Sequence, residues 1–369
     1  MEIALAHDYV TQRGGAERVV LAMARAFPGS PLHTSLYDPA GTFPEFGRVD
    51  VRTMPINRFG LLRRHHRLAL PFLASAVSNH SVHADVLLAS SSGWAHGIPT
   101  TGRKVVYCHA PARWLYQADR YAGDRSGLRG AVVKAASRVV APRLRAWDQR
   151  AAASADRYLV NSQVVKRMVE RVYGIEAEVL PPPPAGFDRS RAAESVPGID
   201  RPFVLCVARL LPYKNVDLVI EAAAAIPGLD VVIVGDGPER GRLEALAARL
   251  GGAHLLGRVQ DSQLRWLYEN CEGLVAASFE DFGLSPLEAA SFGKPTVALR
   301  DGGYLDTVSS GVTGVFFDEP ERDAVASALE TLISAQWDAD AIESHAETFS
   351  EARFAARLRA VVDEERRLA

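Results

Sequence analysis

The chain has 369 residues, an apolar fraction of 48% and a formal net charge of −2, which suits two globular domains better than one ordinary core. No uncharged apolar run reaches the length of a membrane span, and Cys108, Cys206 and Cys271 lack metal-ligand spacing, so buried thiols are expected. The near-neutral total hides a split: residues 1–180 hold 24 Lys and Arg against 14 Asp and Glu (+10), and the remainder holds 18 against 30 (−12).

Halves of opposite sign favour two domains and give the basic half a reason to meet an anionic membrane surface or a phosphorylated acceptor. Nucleic acid is disfavoured, because no helix-turn-helix, zinc or RNA-binding signature is present. The chain runs straight into a strand-like segment, Ile3-Ala4-Leu5-Ala6, so a cytoplasmic protein without a cleaved leader is expected. Gly14-Gly15 then precede an amphipathic stretch from Glu17 to Phe27; glycines admit close backbone approach, and the helix start that follows favours an anion. Next, Arg58, Arg63, Arg64 and Arg67, with His65 and His66, are interleaved with Phe59, Leu61, Leu62, Leu68, Leu70, Phe72 and Leu73. That pattern fits either a helix resting on anionic lipid or a solvated helix face. Strands are predicted at Val86 to Ala89, Val105 to Cys108 and Arg157 to Val160, whose continuous apolar character is that of strands buried on both faces of a parallel sheet. His109 stands at the carboxyl end of the second of these, where such sheets bind ligands, and is a candidate site residue.

Pro181 to Pro184 break the pattern and stiffen the chain into a connector. The expected division is a first domain over 1–183, a linker over 184–201, a second domain over 202–349 and a helical segment over 350–369, which either crosses back to the first domain or packs on its own. In the second half strands are predicted at Phe203 to Val207, Val231 to Val234, Leu274 to Ala277 and Thr296 to Leu299. Helices are predicted at Val216 to Ala225, Glu239 to Leu250, Ser262 to Asn270 and Pro286 to Phe292. This alternation predicts an α/β protein of two Rossmann-like, doubly wound domains facing across a cleft.

Arg209 and Lys214 follow the first strand of the second domain. Together they would neutralise a diphosphate; singly, each reads as an exposed surface cation. Gly235-Asp236-Gly237 and Gly14-Gly15 both lack the third glycine of the dinucleotide fingerprint, which disfavours hydride transfer. Most informative is Glu280-Asp-Phe-Gly-Leu-Ser-Pro-Leu-Glu288. Pro286 is tolerated in the first turn of a helix, so Phe282 to Ser285 should be a loop entering a helix, with Glu288 about one turn inside. Two carboxylates around a helix start suit an uncharged polyol joined to an anion: a sugar on a diphosphate. Asp338 and Asp340 read as surface charge, and no metal or other cofactor is expected, since Arg209 and Lys214 supply the positive charge.

With these pieces in order the chain resembles a retaining glycosyltransferase of family 4, with GT-B architecture, over nearly its whole length. The likeness is carried by Glu280 and Glu288 with the following Ala-Ala-Ser-Phe-Gly-Lys-Pro-Thr-Val-Ala, by Arg209 and Lys214, by Gly14-Gly15, by Asn161-Ser162 and by Gly302-Gly303. Asp306 stands where the family often has glutamate, a shorter acid of the same charge. The opening His-Asp-Tyr-Val-Thr-Gln-Arg-Gly-Gly-Ala-Glu-Arg-Val and the segment Cys-His-Ala-Pro-Ala-Arg-Trp-Leu-Tyr look most like bacterial mannosyltransferases of O-antigen assembly. The resemblance implies that Glu288 holds the donor's ribose hydroxyls, while Glu280 and the backbone of Phe282, Gly283 and Leu284 hold the transferred sugar. It further implies that Arg209 and Lys214 stabilise the departing diphosphate, that Gly235 and Val259 lie near the base, and that His109 sits by the sugar and the acceptor hydroxyl. The donor would be a nucleotide-diphosphate sugar, with GDP-mannose the specific expectation, and the acceptor a saccharide or lipid-linked saccharide at the inner membrane face. A sugar-nucleotide epimerase and a binding protein without catalysis are the competing readings of the same residues.

Overall fold

A computed structural model describes residues 2–117, 128–187, 189–190 and 192–368, without the side chains of residues 66, 67 and 128–139. The chain divides into two units, Met1–Pro183 with Glu351–Ala369, and Pro184–Ser350.

The first unit is built on strands β1 (Ile3–His7), β2 (Leu32–Thr34), β3 (Val51–Thr53), β4 (Val86–Ser91), β5 (Arg103–Cys108), β6 (Arg157–Val160) and β7 (Glu178–Val179), in the order β3-β2-β1-β4-β5-β6-β7. Every pairing is parallel. Parallel strands need crossovers that cover both faces, so β4 and β5 are buried almost throughout. Alternate residues of the same strands fill two cores: Leu5, Leu88 and Val105 one, Ala6, Leu87 and Val106 the other.

The second unit repeats the plan with β8 (Phe203–Val207), β9 (Asp230–Val234), β10 (Ala253–Gly257), β11 (Gly273–Ala276), β12 (Thr296–Leu299) and β13 (Gly314–Phe317), ordered β10-β9-β8-β11-β12-β13 and all parallel. Both units are therefore Rossmann-like. In each, the strand order reverses beside the first strand, so a gap opens at the carboxyl ends of β1 and β4 and again at those of β8 and β11. The helix expected from Pro286 begins two residues earlier, spanning Leu284–Ala290, which leaves Pro286 in its first turn. Residues 184–201 do not stand free: Phe187, Val196 and Ile199 pack with Phe203 and Tyr268 in the second unit's core. All three cysteines are buried, and burial pushes Cys206 and Cys271 up to about 12. No described helix is long and apolar enough to cross a membrane.

The final helix, Glu351–Arg366, belongs to the first unit, where Phe354, Leu358, Val361 and Val362 join the core of Leu5, Leu88 and Tyr107. Its polar face is clamped by charge. Arg103 donates to Glu365 at 2.7 Å, Arg157 to both Glu364 and Glu178, and Arg357 to Glu178 at 2.6 Å. Burial alone would raise the Glu178 carboxyl, but hydrogen bonds from Arg357 and Arg157 hold it below its ordinary 4.5. A carboxylate held low stabilises the folded chain above its unfolded pKa and loses that contribution as pH falls through the folded one. Glu178→Gln should therefore cost about 0.5–1 kcal/mol near pH 7, allowing for solvent screening, and the difference should shrink as pH falls below 4.5 and through the folded carboxyl's lower pKa. Urea midpoints measured across that range check the convergence.

Candidate active site

In the second unit the site is built at the β8–β11 gap. The loop after β8 folds into a single turn, Pro212–Lys214, and ends at Asn215 in the left-handed region (φ 53°). Asparagine tolerates that conformation, and its side-chain amide donates to the Ala277 carbonyl at 2.8 Å, tying the β8 loop to the end of β11. The tie brings Lys214 against Glu280. The Lys214 side chain is buried, its ammonium pairs with the Glu280 carboxylate, and Nζ lies 5.0 Å from the Tyr213 ring centre. A buried ammonium needs such a partner, because desolvation without one costs more than the fold can spare. Arg209, by contrast, is exposed at the start of the same loop.

Past Glu280 the chain is fixed from behind. The Gly303 amide donates to the Glu280 carbonyl at 2.8 Å, and the Tyr304 ring lies against Gly283. The loop expected over Phe282 to Ser285 is shorter than that: Phe282 is buried, Gly283 caps, and Leu284 is already helical. Glu288 stands one turn inside, half-buried, and its Oε2 accepts from the Tyr268 hydroxyl at 2.8 Å. Tyr268 is itself fully buried, with Phe187 edge-on at 5.6 Å and Phe292 stacked at 5.7 Å. Gly235, after β9, has φ +138°, and a Cβ there would lie 1.9 Å from the Ala208 carbonyl oxygen, so the β9 loop crosses directly over the β8 loop. Val259, beyond β10, is half-buried against the core that includes Val207 and Leu256.

The other predicted site residues fall in the first unit. Gly14 precedes the helix Gly15–Ala26, one residue or two earlier than the start expected near Glu17. The space beside Gly14 is taken by the Glu17 carboxyl, 2.6 Å from where a Cβ would stand; this carboxyl is buried, which raises its pKa. His109 is buried past the end of β5, its amide donating to the Ser91 carbonyl at 2.9 Å and its own carbonyl accepting from Asn161 Nδ2 at 3.0 Å. Its Nε2 lies 2.8 Å from Ser90 Oγ. Burial, then His7 and Arg113, push its pKa down to about 3, so the ring is neutral. Ser162, beside Asn161, caps the helix Gln163–Tyr173.

Sequence reasoning did not find Asn215, Tyr268, Tyr304, Ser90 or His7. Each acts by holding another residue; His7 lies in the opening segment, but nothing in the local pattern marks it as a partner of Ser90.

The family model described as Glycosyltransferase Family 4 matches residues 13–191, and that described as Glycosyl transferases group 1 matches residues 190–351. The chain belongs to the GT-B glycosyltransferases. Among curated relatives, a D-inositol 3-phosphate glycosyltransferase of Mycolicibacterium paratuberculosis is 28% identical over 296 residues, 73% of this chain and 63% of the relative. Its counterpart in Acidothermus cellulolyticus is 33% identical over 209 residues, 49% of this chain and 46% of the relative. The chain thus spans less than two thirds of the length of these relatives. Among solved structures, Anabaena HepE in complex with UDP superposes with a TM-score of 0.72 at 19% identity, covering 99% of this chain and 100% of that one. WaaG, described as a glycosyltransferase involved in lipopolysaccharide biosynthesis, gives 0.61 at 17% identity, covering 96% and 95%. At these identities the structural likeness speaks for the GT-B fold.

The crossing at Gly235 makes a sharp prediction. Gly235→Ala should destabilise the second unit by about 2 kcal/mol or more, through its φ and the collision with Ala208. Gly241→Ala, in the helix Arg240–Leu250 with open space around its Cα, should instead be neutral or stabilise by about 0.5–1 kcal/mol. Urea unfolding of both variants gives the signs.

Proposed function

We propose that the chain is a retaining, metal-independent hexosyltransferase acting on a nucleotide-diphosphate sugar. The observation that carries this reading is the Lys214–Glu280 pair at the β8–β11 gap, with Glu288 oriented by Tyr268 one turn further on. An ammonium beside a carboxylate at a strand end is set to receive a diphosphate, and Arg209 on the same loop adds the second cation. As the bond from the anomeric carbon to the diphosphate oxygen breaks, negative charge grows on the leaving group, where fixed cations stabilise it more than in the ground state. Those two side chains do the work a divalent ion would otherwise do. Glu288 takes the ribose hydroxyls, Glu280 and the backbone of Phe282, Gly283 and Leu284 take the sugar, and Gly235 and Val259 flank the base. In the first unit, Gly14, Gly15 and His109 serve the sugar and the acceptor. The acceptor oxygen attacks on the face the diphosphate leaves, and its proton passes to a diphosphate oxygen, so configuration is kept.

The donor is proposed to be GDP-mannose, on the mannosyltransferase-like segments around His7 and His109, and the acceptor a saccharide or lipid-linked saccharide. The basic first half and the phosphate in the names of the curated relatives favour an acceptor that carries a phosphate. Lys214→Ala and Arg209→Ala should each lower turnover by about 10²–10³-fold. Near-normal turnover in both refutes the site, and chelators should leave the wild-type rate unchanged. Product analysis with donor alone separates the transferase from an epimerase, which needs no acceptor. A thermal-shift panel of nucleoside diphosphates reads the base, since a ligand that binds only the folded state raises the melting temperature. A larger rise with UDP than with GDP overturns the GDP-mannose assignment.

We further propose that the protein works in the cytoplasm at an anionic membrane surface. Phe59, Leu61, Leu68 and Phe72 are all more than half exposed, and Arg58, Arg63 and Arg64 stand exposed among them; the Arg67 and His66 side chains lie outside the described residues. Aromatic and leucine side chains beside arginines fit the interface of an anionic bilayer. Flotation with phosphatidylserine vesicles should weaken at high salt and on replacing Arg58, Arg63 and Arg64 with Glu. Retention indifferent to both changes counts against membrane contact.

A further inference from the structure

Three polar side chains line up across the centre of the first sheet. His7 ends β1, Ser90 lies opposite it in β4, and His109 follows β5. All three are buried. His7 Nδ1 is 3.1 Å from the Ser90 carbonyl oxygen and 3.0 Å from Ser90 Oγ, and Oγ is 2.8 Å from His109 Nε2.

The protons in this row are determined by what each atom can do. A carbonyl oxygen only accepts, so His7 Nδ1 carries a hydrogen and shares it between the Ser90 carbonyl and hydroxyl oxygens. The Ser90 hydroxyl, accepting from His7, then sends its own hydrogen to His109 Nε2. With the ring uncharged and Nε2 accepting, the single remaining hydrogen of His109 sits on Nδ1. Around the ring stand His7, Arg113 and the edge-on Tyr107, and none of them offers a carboxylate that would favour the charged form. Among the described residues Nδ1 has no hydrogen-bond partner.

We infer that Ser90 and His7 are positioning residues that lock His109 in the tautomer bearing hydrogen on Nδ1, so that it donates a hydrogen bond to a substrate oxygen and cannot act there as a proton acceptor. This rests on the proposed reading in which His109 meets the sugar. It deepens that reading: with the accepting nitrogen of His109 taken by Ser90, the proton released by the acceptor hydroxyl does not go to His109, in keeping with the proposed transfer to a diphosphate oxygen. Asn161 completes the arrangement by holding the His109 backbone.

The test begins without substrates. In protein labelled with ¹⁵N-histidine, long-range proton–nitrogen spectra, with the His109 signals identified by their loss in His109→Gln, should show Nδ1 protonated and Nε2 bare. Ser90→Ala should bring in the other tautomer. It should lower kcat by roughly 10-fold, the effect of losing one buried hydrogen bond, with the donor KM within about 3-fold. Ser90→Thr, which keeps the hydroxyl, should restore the wild-type spectrum and most of the rate. A wild-type spectrum with hydrogen on Nε2 overturns the inference even if no Ser90 variant folds, and so does a Ser90→Ala protein with unchanged spectrum and kcat. Failure of the wild type to transfer sugar would instead sink the transferase reading, and the substrate-free spectra still decide the tautomer.

Discussion

A lysine ammonium that leaves water must find a negative partner, and in the second unit Lys214 finds Glu280. The pair spans the place where the sheet reverses its strand order, since Lys214 follows β8 and Glu280 follows β11. Asn215 reinforces the same bridge through Ala277, and Gly303 holds the Glu280 backbone from the other side. Much of what surrounds the pair can be understood as keeping these two loops in register. Tyr268 extends the principle to Glu288, which it reaches from a helix, its ring packed against Phe187 and Phe292.

The first unit meets the same topological opening with different chemistry. Where the second gathers opposite charges, the first joins imidazole, hydroxyl and imidazole by hydrogen bonds across β1, β4 and β5. The two gaps are thus lined differently, one by an ion pair and the other by a hydrogen-bonded row of imidazole and hydroxyl groups.

The central strands were legible because burial on both faces leaves uninterrupted apolar runs, as in Val86-Leu87-Leu88-Ala89. β3, β7, β10 and β13 were not, since they sit at sheet edges, half-solvated and two to five residues long, and β2 offers only Leu-His-Thr. The Leu128–Ala153 helix also escaped notice, having no clear apolar stripe and Pro142 within it. At the candidate site, Glu280, Glu288, Arg209 and Lys214 stood out because local spacing marks a strand end or a helix start. Tyr268, Asn215 and Ser90 did not, because their importance lies in a partner distant in sequence. The early start of the Leu284–Ala290 helix shows the limit of reading Pro286 as a boundary: proline is accepted anywhere in the first turn, so it brackets the start without fixing it.

The return of Glu351–Arg366 to the first unit has a consequence in time as well as space. During synthesis the β1–β7 sheet can assemble once Val179 has emerged, yet the face bearing Leu5, Leu88 and Tyr107, already packed by Val19, Val20 and Met23 of the Gly15–Ala26 helix, lacks Phe354, Leu358 and Val361 until the whole of the second unit has been translated. At ribosomal speeds that interval is on the order of 10 s or more. The half made first is therefore finished last, with part of its apolar core waiting on the chain's final helix.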